Sequence, residues 1–368
     1  MKAVMDYIPK LWVCQNIRIM NIMIHKEKNI MIKEEIRIKK VIVHILDSTV
    51  GLPVLSDKEI EFGSDFADFL KEHIYKVASC DDCKPCRFYE KESEVFQMVS
   101  QYQEEFFVDI SKDLANYLYE IMNSNIDIPA ADLVVVRFKE RDDEYLGVLK
   151  MNYKESYTHR TNSLEDGNTN EIVKYKSILP NQSQRLTEAA IINLSDFSVR
   201  AMEKKYEVNG EKTNYFTYLF LKCSSELSPK TKLSIVTRAI DSVQKDYYDE
   251  SEQYEQSMRA KQIIHQALEE EGSFVVEEIA EQVFEDKPEL KIEFQDKMEK
   301  YDMVKQEVKP QSDTTVRKFE TQCLTTDSGI EIKIPMSEYN DPGKVEFITN
   351  PDGTVSVLIK NIGLLKAK

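Results

Sequence analysis

Three cysteines stand together in Cys80-Asp-Asp-Cys83-Lys-Pro-Cys86. Thiolates at this spacing can share a zinc ion or an iron–sulfur cluster, but a tetrahedral site needs a fourth ligand. A ferredoxin-type run would place another cysteine shortly after Cys86, where Arg87-Phe-Tyr-Glu90 stands instead. Cys223 or Cys323 would complete a site only by folding close. The alternative is a cysteine-rich loop without metal, and no cofactor is expected.

A second pattern is Asp327-Ser-Gly-Ile-Glu331-Ile-Lys333. Metal-dependent nucleases use an Asp with Glu-x-Lys on adjacent strands: the carboxylates hold a divalent ion and the lysine stabilises the charged transition state. Alternation puts Glu331 and Lys333 on one strand face, as such a site needs. Asp327 lies too near in sequence to sit on a separate return strand, so an exposed Glu/Lys face is the simpler account. The hairpin at 133–153 offers Lys150 but has Val148 where the paired carboxylate belongs. The ten glycines form no Gly-x-Gly, so no dinucleotide or Walker loop can be written, and no Gly-x-Ser-x-Gly elbow is present. The five histidines are scattered; His44, in an apolar run, and His73, on a helix face, read as satisfied structural residues.

Basic residues that could meet nucleic acid form two small groups: Lys33, Arg37, Lys39 and Lys40 beside the first strand, and Lys360, Lys366 and Lys368 at the C-terminus. Neither has the density of a nucleic-acid arm. The chain carries a net charge of −16, and duplex DNA, a polyanion, should repel it as a whole. The charge is uneven. Residues 245–307 hold 19 acidic and 8 basic residues, residues 316–368 hold 7 of each, and residues 1–40 hold 9 basic against 4 acidic. The repulsion is concentrated in one middle segment.

The elements that must position these residues predict an α+β protein in several parts. Residues 1–30 read as an N-terminal extension without a clean period, with Met31 as the expected true start. Residues 31–225 read as a mixed α+β domain, 226–310 as an acidic helical segment, and 311–368 as a small antiparallel β-sheet segment. In the mixed domain, Val41–Leu46 is a buried strand. Ser64 and Ser111 are expected to cap helices carrying Phe66, Phe69, Leu70, Ile74 and Val77, and Leu114, Tyr117, Leu118 and Ile121. Runs at 133–138 and 145–153 make a hairpin, 187–194 and 215–221 are strands, Asn209-Gly210 is a turn, and the polar stretch 161–170 is a loop. Ser228-Pro229 opens a helix whose Leu233, Val236, Ile240, Val243 and Tyr247 share one stripe, read as domain core. Ile330, Ile332 and Ile334 alternate with charged residues. Val345 and Phe347 pair with Val355, Val357 and Ile359 around Asn350-Pro351-Asp352-Gly353, a turn with a bulge at the glycine.

The wording of that closing segment, Thr325-Thr-Asp-Ser-Gly-Ile-Glu-Ile-Lys-Ile-Pro335 and Lys344 to Gly363, resembles the bacterial nucleoid-associated protein family, YejK-like. So do Lys39-Lys-Val-Ile-Val-His-Ile-Leu-Asp47 with Leu55-Ser-Asp-Lys-Glu59, Ser234-Ile-Val-Thr-Arg-Ala-Ile240, and Ala267-Leu-Glu-Glu-Glu-Gly-Ser-Phe274. The resemblance runs from about Met31 to the C-terminus. It implies a place at the nucleoid and no catalytic residues. The expected partner is chromosomal DNA, touched weakly, or a DNA-bound protein such as a topoisomerase that accepts the acidic segment. A metal-dependent nuclease is the alternative reading. No apolar run reaches membrane length and the few cysteines do not form a secreted framework. A cytoplasmic protein with neither membrane nor small-molecule partner is therefore expected.

Overall fold

The computed structural model describes residues 31–47, 51–165 and 167–366; the expected N-terminal extension and Lys368 lie outside them. The fold is α+β, and the chain divides into two compact units, one ending at Glu226 and the other beginning at Leu227.

The first unit runs β1 (Arg37–Leu46), α1 (Ser64–Ala78), β2 (Lys84–Phe88), α2 (Glu94–Ser100), α3 (Phe107–Asn123), β3 (Ala131–Glu140), β4 (Asp143–Asn152), β5 (Lys154–Leu164) and β6 (Gly167–Ile178). It continues through β7 (Glu188–Asn193), β8 (Val199–Met202), β9 (Tyr206–Val208), β10 (Glu211–Thr213), a π-helix (Phe216–Leu221) and β11 (Cys223–Ser225). Seven strands form one antiparallel sheet in the order β1-β3-β4-β7-β8-β2-β11. Its strands read as nearly unbroken apolar runs because both faces are covered. Ile42, Leu133, Val135, Leu146, Val148, Ala190 and Ile192 pack against α2, α3 and the π-helix. Their neighbours Val41, Val134, Val136, Leu149, Ala189 and Ile191 pack against Leu70, Ile74 and Val77 of α1. Arg141 closes the β3–β4 turn at φ 54°, and Asn209 and Gly210 turn β9 into β10 at φ 53° and 83°.

Four sequence expectations are corrected here. Ser64 is the first residue of α1 rather than its cap: the flanking residue is Gly63, and the Ser64 hydroxyl donates to Asp65. The helix assigned to Ser111 begins earlier, at Phe107, and Ser111 lies inside it. The stretch expected as a strand at 215–221 forms the π-helix Phe216–Leu221 instead; Phe216, Phe220 and Leu221 are buried in the core while Tyr218 is exposed. The polar stretch 161–170 belongs to the long hairpin β5–β6, not to a loop.

The second unit is built on α4 (Pro229–Tyr247), α5 (Glu250–Glu271), β12 (Phe274–Val275), α6 (Val276–Val283), α7 (Pro288–Glu299) and β13 (Glu307–Val308). Ser228 caps α4, accepting from the Thr231 N–H at 3.3 Å, with Pro229 in the first turn. Leu233, Val236, Ile240 and Val243 bury their stripe against Ile264, Leu268, Ile279, Phe294 and Val308, while Tyr247 ends the stripe half-open, at 46% exposure. The C-terminal β structure is two separate antiparallel pairs: β14 (Thr321–Thr325) with β15 (Glu331–Pro335), and β16 (Val345–Thr349) with β17 (Val355–Ile359). Gly353 takes φ 84° in the β16–β17 turn, and its N–H donates to the Asn350 carbonyl at 2.9 Å. The register of the flanking strands carries no bulge; the irregularity stays within the loop.

Candidate functional site

The basic residues singled out from sequence fall in different units. On the first, Lys33 is held by Glu72 at 2.5 Å, a contact that raises its pKa above the ordinary lysine value. Lys40 bonds Glu59 at 2.8 Å and reaches the Glu104 carbonyl. Arg37 and Lys39 are exposed at the start of β1, where the register with β3 shifts at Lys39. On the second unit, Lys360 pairs with Glu346 at 2.5 Å and Lys366 is exposed. A cation already paired with a carboxylate offers little to a phosphate, so of these described candidates Arg37, Lys39 and Lys366 present charge outward without an ion-pair partner.

The acidic segment is placed differently. Glu269, Glu270 and Glu271 end α5 on exposed positions, Glu278 and Glu281 lie on the open side of α6, and Glu285 and Asp286 follow it, also exposed. The opposite side of the same helices is apolar core: Ile264 and Leu268 on α5, Ile279, Ala280 and Val283 on α6. Burial of one face therefore fixes the carboxylates on the other. Nearby cations are outnumbered: Arg259 lies 3.8 Å from Glu285 and 4.0 Å from Asp286, and Lys291 lies 2.9 Å from Glu281. A groove of about 620 Å³ in the first unit is also lined by carboxylates, Glu94, Asp109 and Asp113.

The nuclease pattern does not assemble. Glu331 and Lys333 share a face of β15, but both are two-thirds exposed and 3.6 Å apart. Asp327 accepts from the Ser328 N–H and shapes the turn. Among the described residues no three His, Cys, Asp or Glu side chains are grouped to hold a metal ion.

The cysteine motif is split between two cores. Cys80 and Cys83 pack with α1 on one side of the sheet, and Cys86 packs on the other with Cys223. Cys223 does fold close to Cys86, and that neighbour, with burial second, raises the Cys223 thiol. Burial pushes Cys83 up to about 12. Such thiols stay protonated and are poor ligands. Cys323 is exposed on β14 in the other unit.

Sequence reasoning named Lys150 but missed its buried partner, Glu188, inside the first unit. Lys150 on β4 and Glu188 on β7 are cross-strand partners, both fully buried. The Lys150 ammonium donates to the Pro129 carbonyl at 3.0 Å and to the Asn152 side chain. Asn152 in turn donates to Glu188 Oε2 at 2.7 Å. Burial lowers Lys150 to about 8. Glu188 Oε1 and the Tyr215 hydroxyl are buried without a partner. Lys150 is entirely enclosed, so no substrate reaches it, and the cluster acts as a polar clamp inside the sheet. Its members lie far apart in sequence, and only the β4–β7 register brings them together.

His44 behaves as a structural residue. Its Nδ1 accepts from the Ser56 N–H at 3.1 Å, which leaves the proton on Nε2, 3.0 Å from Ser111 Oγ. His73 differs from the expectation: it is buried with neither ring nitrogen hydrogen-bonded, its ring set edge-on to Phe69. Burial lowers it, while the Pro180 carbonyl acts in the opposite direction without reaching hydrogen-bond geometry.

No helix among the described residues is long and apolar enough to cross a membrane. In a comparison with known families the chain matches the model described as nucleoid-associated protein YejK over residues 42–364. No curated protein matches the chain.

Proposed function

Because the chain belongs to the nucleoid-associated protein YejK family, we propose that it works at the nucleoid mainly by docking on a basic, DNA-bound protein. The acidic face of α5 and α6 is the docking surface and direct DNA contact is weak. One observation carries the reading: exposed carboxylates from Glu269 to Asp286 are fixed on and beside helices whose other side is core, whereas three of the candidate DNA-binding lysines, Lys33, Lys40 and Lys360, are spent on ion pairs. A Lys/Arg-rich face would be steered to this surface and a phosphate backbone repelled from it. A basic DNA enzyme such as a topoisomerase has the required chemistry. The role is that of a binding protein rather than an enzyme: the sequence's nuclease residues remain an exposed strand face and a turn.

The test is charge reversal of Glu269, Glu270 and Glu271 to Lys in the full chain, with the fold checked by circular dichroism and nucleoid localisation followed by fluorescence. Localisation should fall while the fold is kept. Unchanged localisation, or localisation explained by DNA binding of the pure protein alone, overturns the proposal.

A second reading, direct DNA contact through Arg37, Lys39 and Lys366, is favoured only by their outward charge.

A further inference from the structure

The β5–β6 hairpin stands apart from everything else in the first unit. Its strands are 11 and 12 residues long, a ribbon of about 35 Å at the usual rise per residue. β5 and β6 pair only with each other, and none of their residues belongs to a hydrophobic core. Asn162 and Val173 are the most covered of the ribbon's described side chains, and they are only half-buried.

A lone two-stranded ribbon is marginal in water, and this one leaves large apolar groups open. Tyr157 is 69% exposed, Ile172 74% and Tyr175 52%. The register sorts them onto both faces. Tyr157 lies opposite Lys174 and His159 opposite Ile172 on one face; Thr158 opposite Val173 and Ser156 opposite Tyr175 on the other. Both outer edges also present unpaired backbone donors and acceptors, the arrangement that invites a further strand.

We propose that this ribbon is a self-association arm, seated in solution against a second copy of this chain. Charge selects the occupant. The whole chain carries −16, so two copies repel on the whole, most strongly at the acidic helices. The ribbon, residues 154–178, holds four basic and four acidic residues and is neutral; it is a place where two like chains meet without that penalty. Two of its four cations are engaged across the strands: Arg160 lies 2.9 Å from Glu171, and Lys174 pairs with Glu155. A phosphate backbone calls for net positive charge and a basic protein for net negative charge; the neutral ribbon offers neither. Antiparallel pairing of a strand with its own copy obeys a two-fold axis, so one apolar row and one open edge serve both partners.

Sedimentation equilibrium of the full chain tests this. The wild type should show a concentration-dependent mass of two chains. Tyr157→Glu combined with Ile172→Glu should return the mass of one. A variant in which residues 156–176 are replaced by Asn-Gly should do the same while keeping the far-UV spectrum and urea midpoint, because no core residue is removed. A wild type that stays monomeric at every concentration overturns the proposal. So does a dimer that survives removal of the ribbon. A monomer that loses DNA binding when the ribbon is removed also overturns it and makes the ribbon a nucleic-acid contact instead.

Discussion

Lys150 and Glu188, cross-strand partners on β4 and β7, are joined through one amide: Asn152 accepts from the lysine and donates to the carboxylate. Neither charged group has any exposed surface. Two opposite charges in the interior are tolerable because each finds hydrogen bonds there, and losing one would strand the other.

Lys150→Met should therefore destabilise the first unit by about 3–5 kcal/mol, the range for leaving a buried charge uncompensated. Urea unfolding followed by circular dichroism measures it. Adding Glu188→Gln removes the stranded carboxylate, so the double variant should be more stable than the single one. A double variant whose losses simply add would show that the two residues are not coupled.

Burial of His44, whose Nδ1 accepts from the Ser56 N–H, makes stability depend on acid. Burial, with Lys112 second, lowers His44 to about 4, below the ordinary histidine value. Between pH 6.5 and 4 the unfolded chain takes up a proton that the folded ring refuses. Stability is then present above pH 6.5 and lost as pH falls, by up to about 3 kcal/mol at pH 4. Burial pushes His73 in the same direction. The urea midpoint should drop between pH 7 and pH 5, and His44→Gln should shrink that drop. An equal drop in the variant would assign the acid sensitivity elsewhere.

What was legible in the sequence followed from whether burial left a period. The β3–β4 hairpin and the α4 stripe were readable because Leu133–Phe138 and Leu233–Val243 bury consistent faces. The ribbon was not, because a strand pair with no buried face has no apolar alternation; Thr161–Asn170 looks like any polar loop. The π-helix failed for the opposite reason: Phe216-Thr-Tyr-Leu-Phe-Leu221 is apolar at almost every position, so its open member, Tyr218, marks no helical period in the sequence. The cysteine spacing could not reveal that β2 turns Cys86 to the other face of the sheet from Cys80 and Cys83. The acidic surface was visible as composition, but its fixing on α5 and α6 needed the structure.

Helix caps offer a sharper comparison. Ser228 accepts the Thr231 N–H at the start of α4, so Ser228→Ala should cost about 1 kcal/mol. Ser64 stands inside α1 and accepts no backbone bond there, so Ser64→Ala should be close to neutral. Thermal or urea unfolding of the two variants side by side checks this. A substantial loss at Ser64 would mean that α1 starts one residue later than described.

Direct DNA binding by the pure protein should be weak and shallow in its salt dependence. Each phosphate neutralised by a cation contributes about 0.9 to the slope of log K against log salt on duplex DNA. Lys33, Lys40 and Lys360 are engaged by Glu72, Glu59 and Glu346, which leaves Arg37, Lys39 and Lys366 to act. A slope of about −2 to −3 follows from so few contacts. Arg37→Glu with Lys39→Glu should flatten it by about 2, nearly to zero. Adding Mg²⁺ should produce no cleavage, because Asp327, Glu331 and Lys333 form no metal site. Fluorescence anisotropy with labelled duplexes at graded salt reads the slope, and several unrelated sequences should give the same curve. A steep slope, a tight complex at physiological salt or clear preference for one sequence would require a basic surface beyond these residues. It would also remove the reason for routing nucleoid association through the acidic helices.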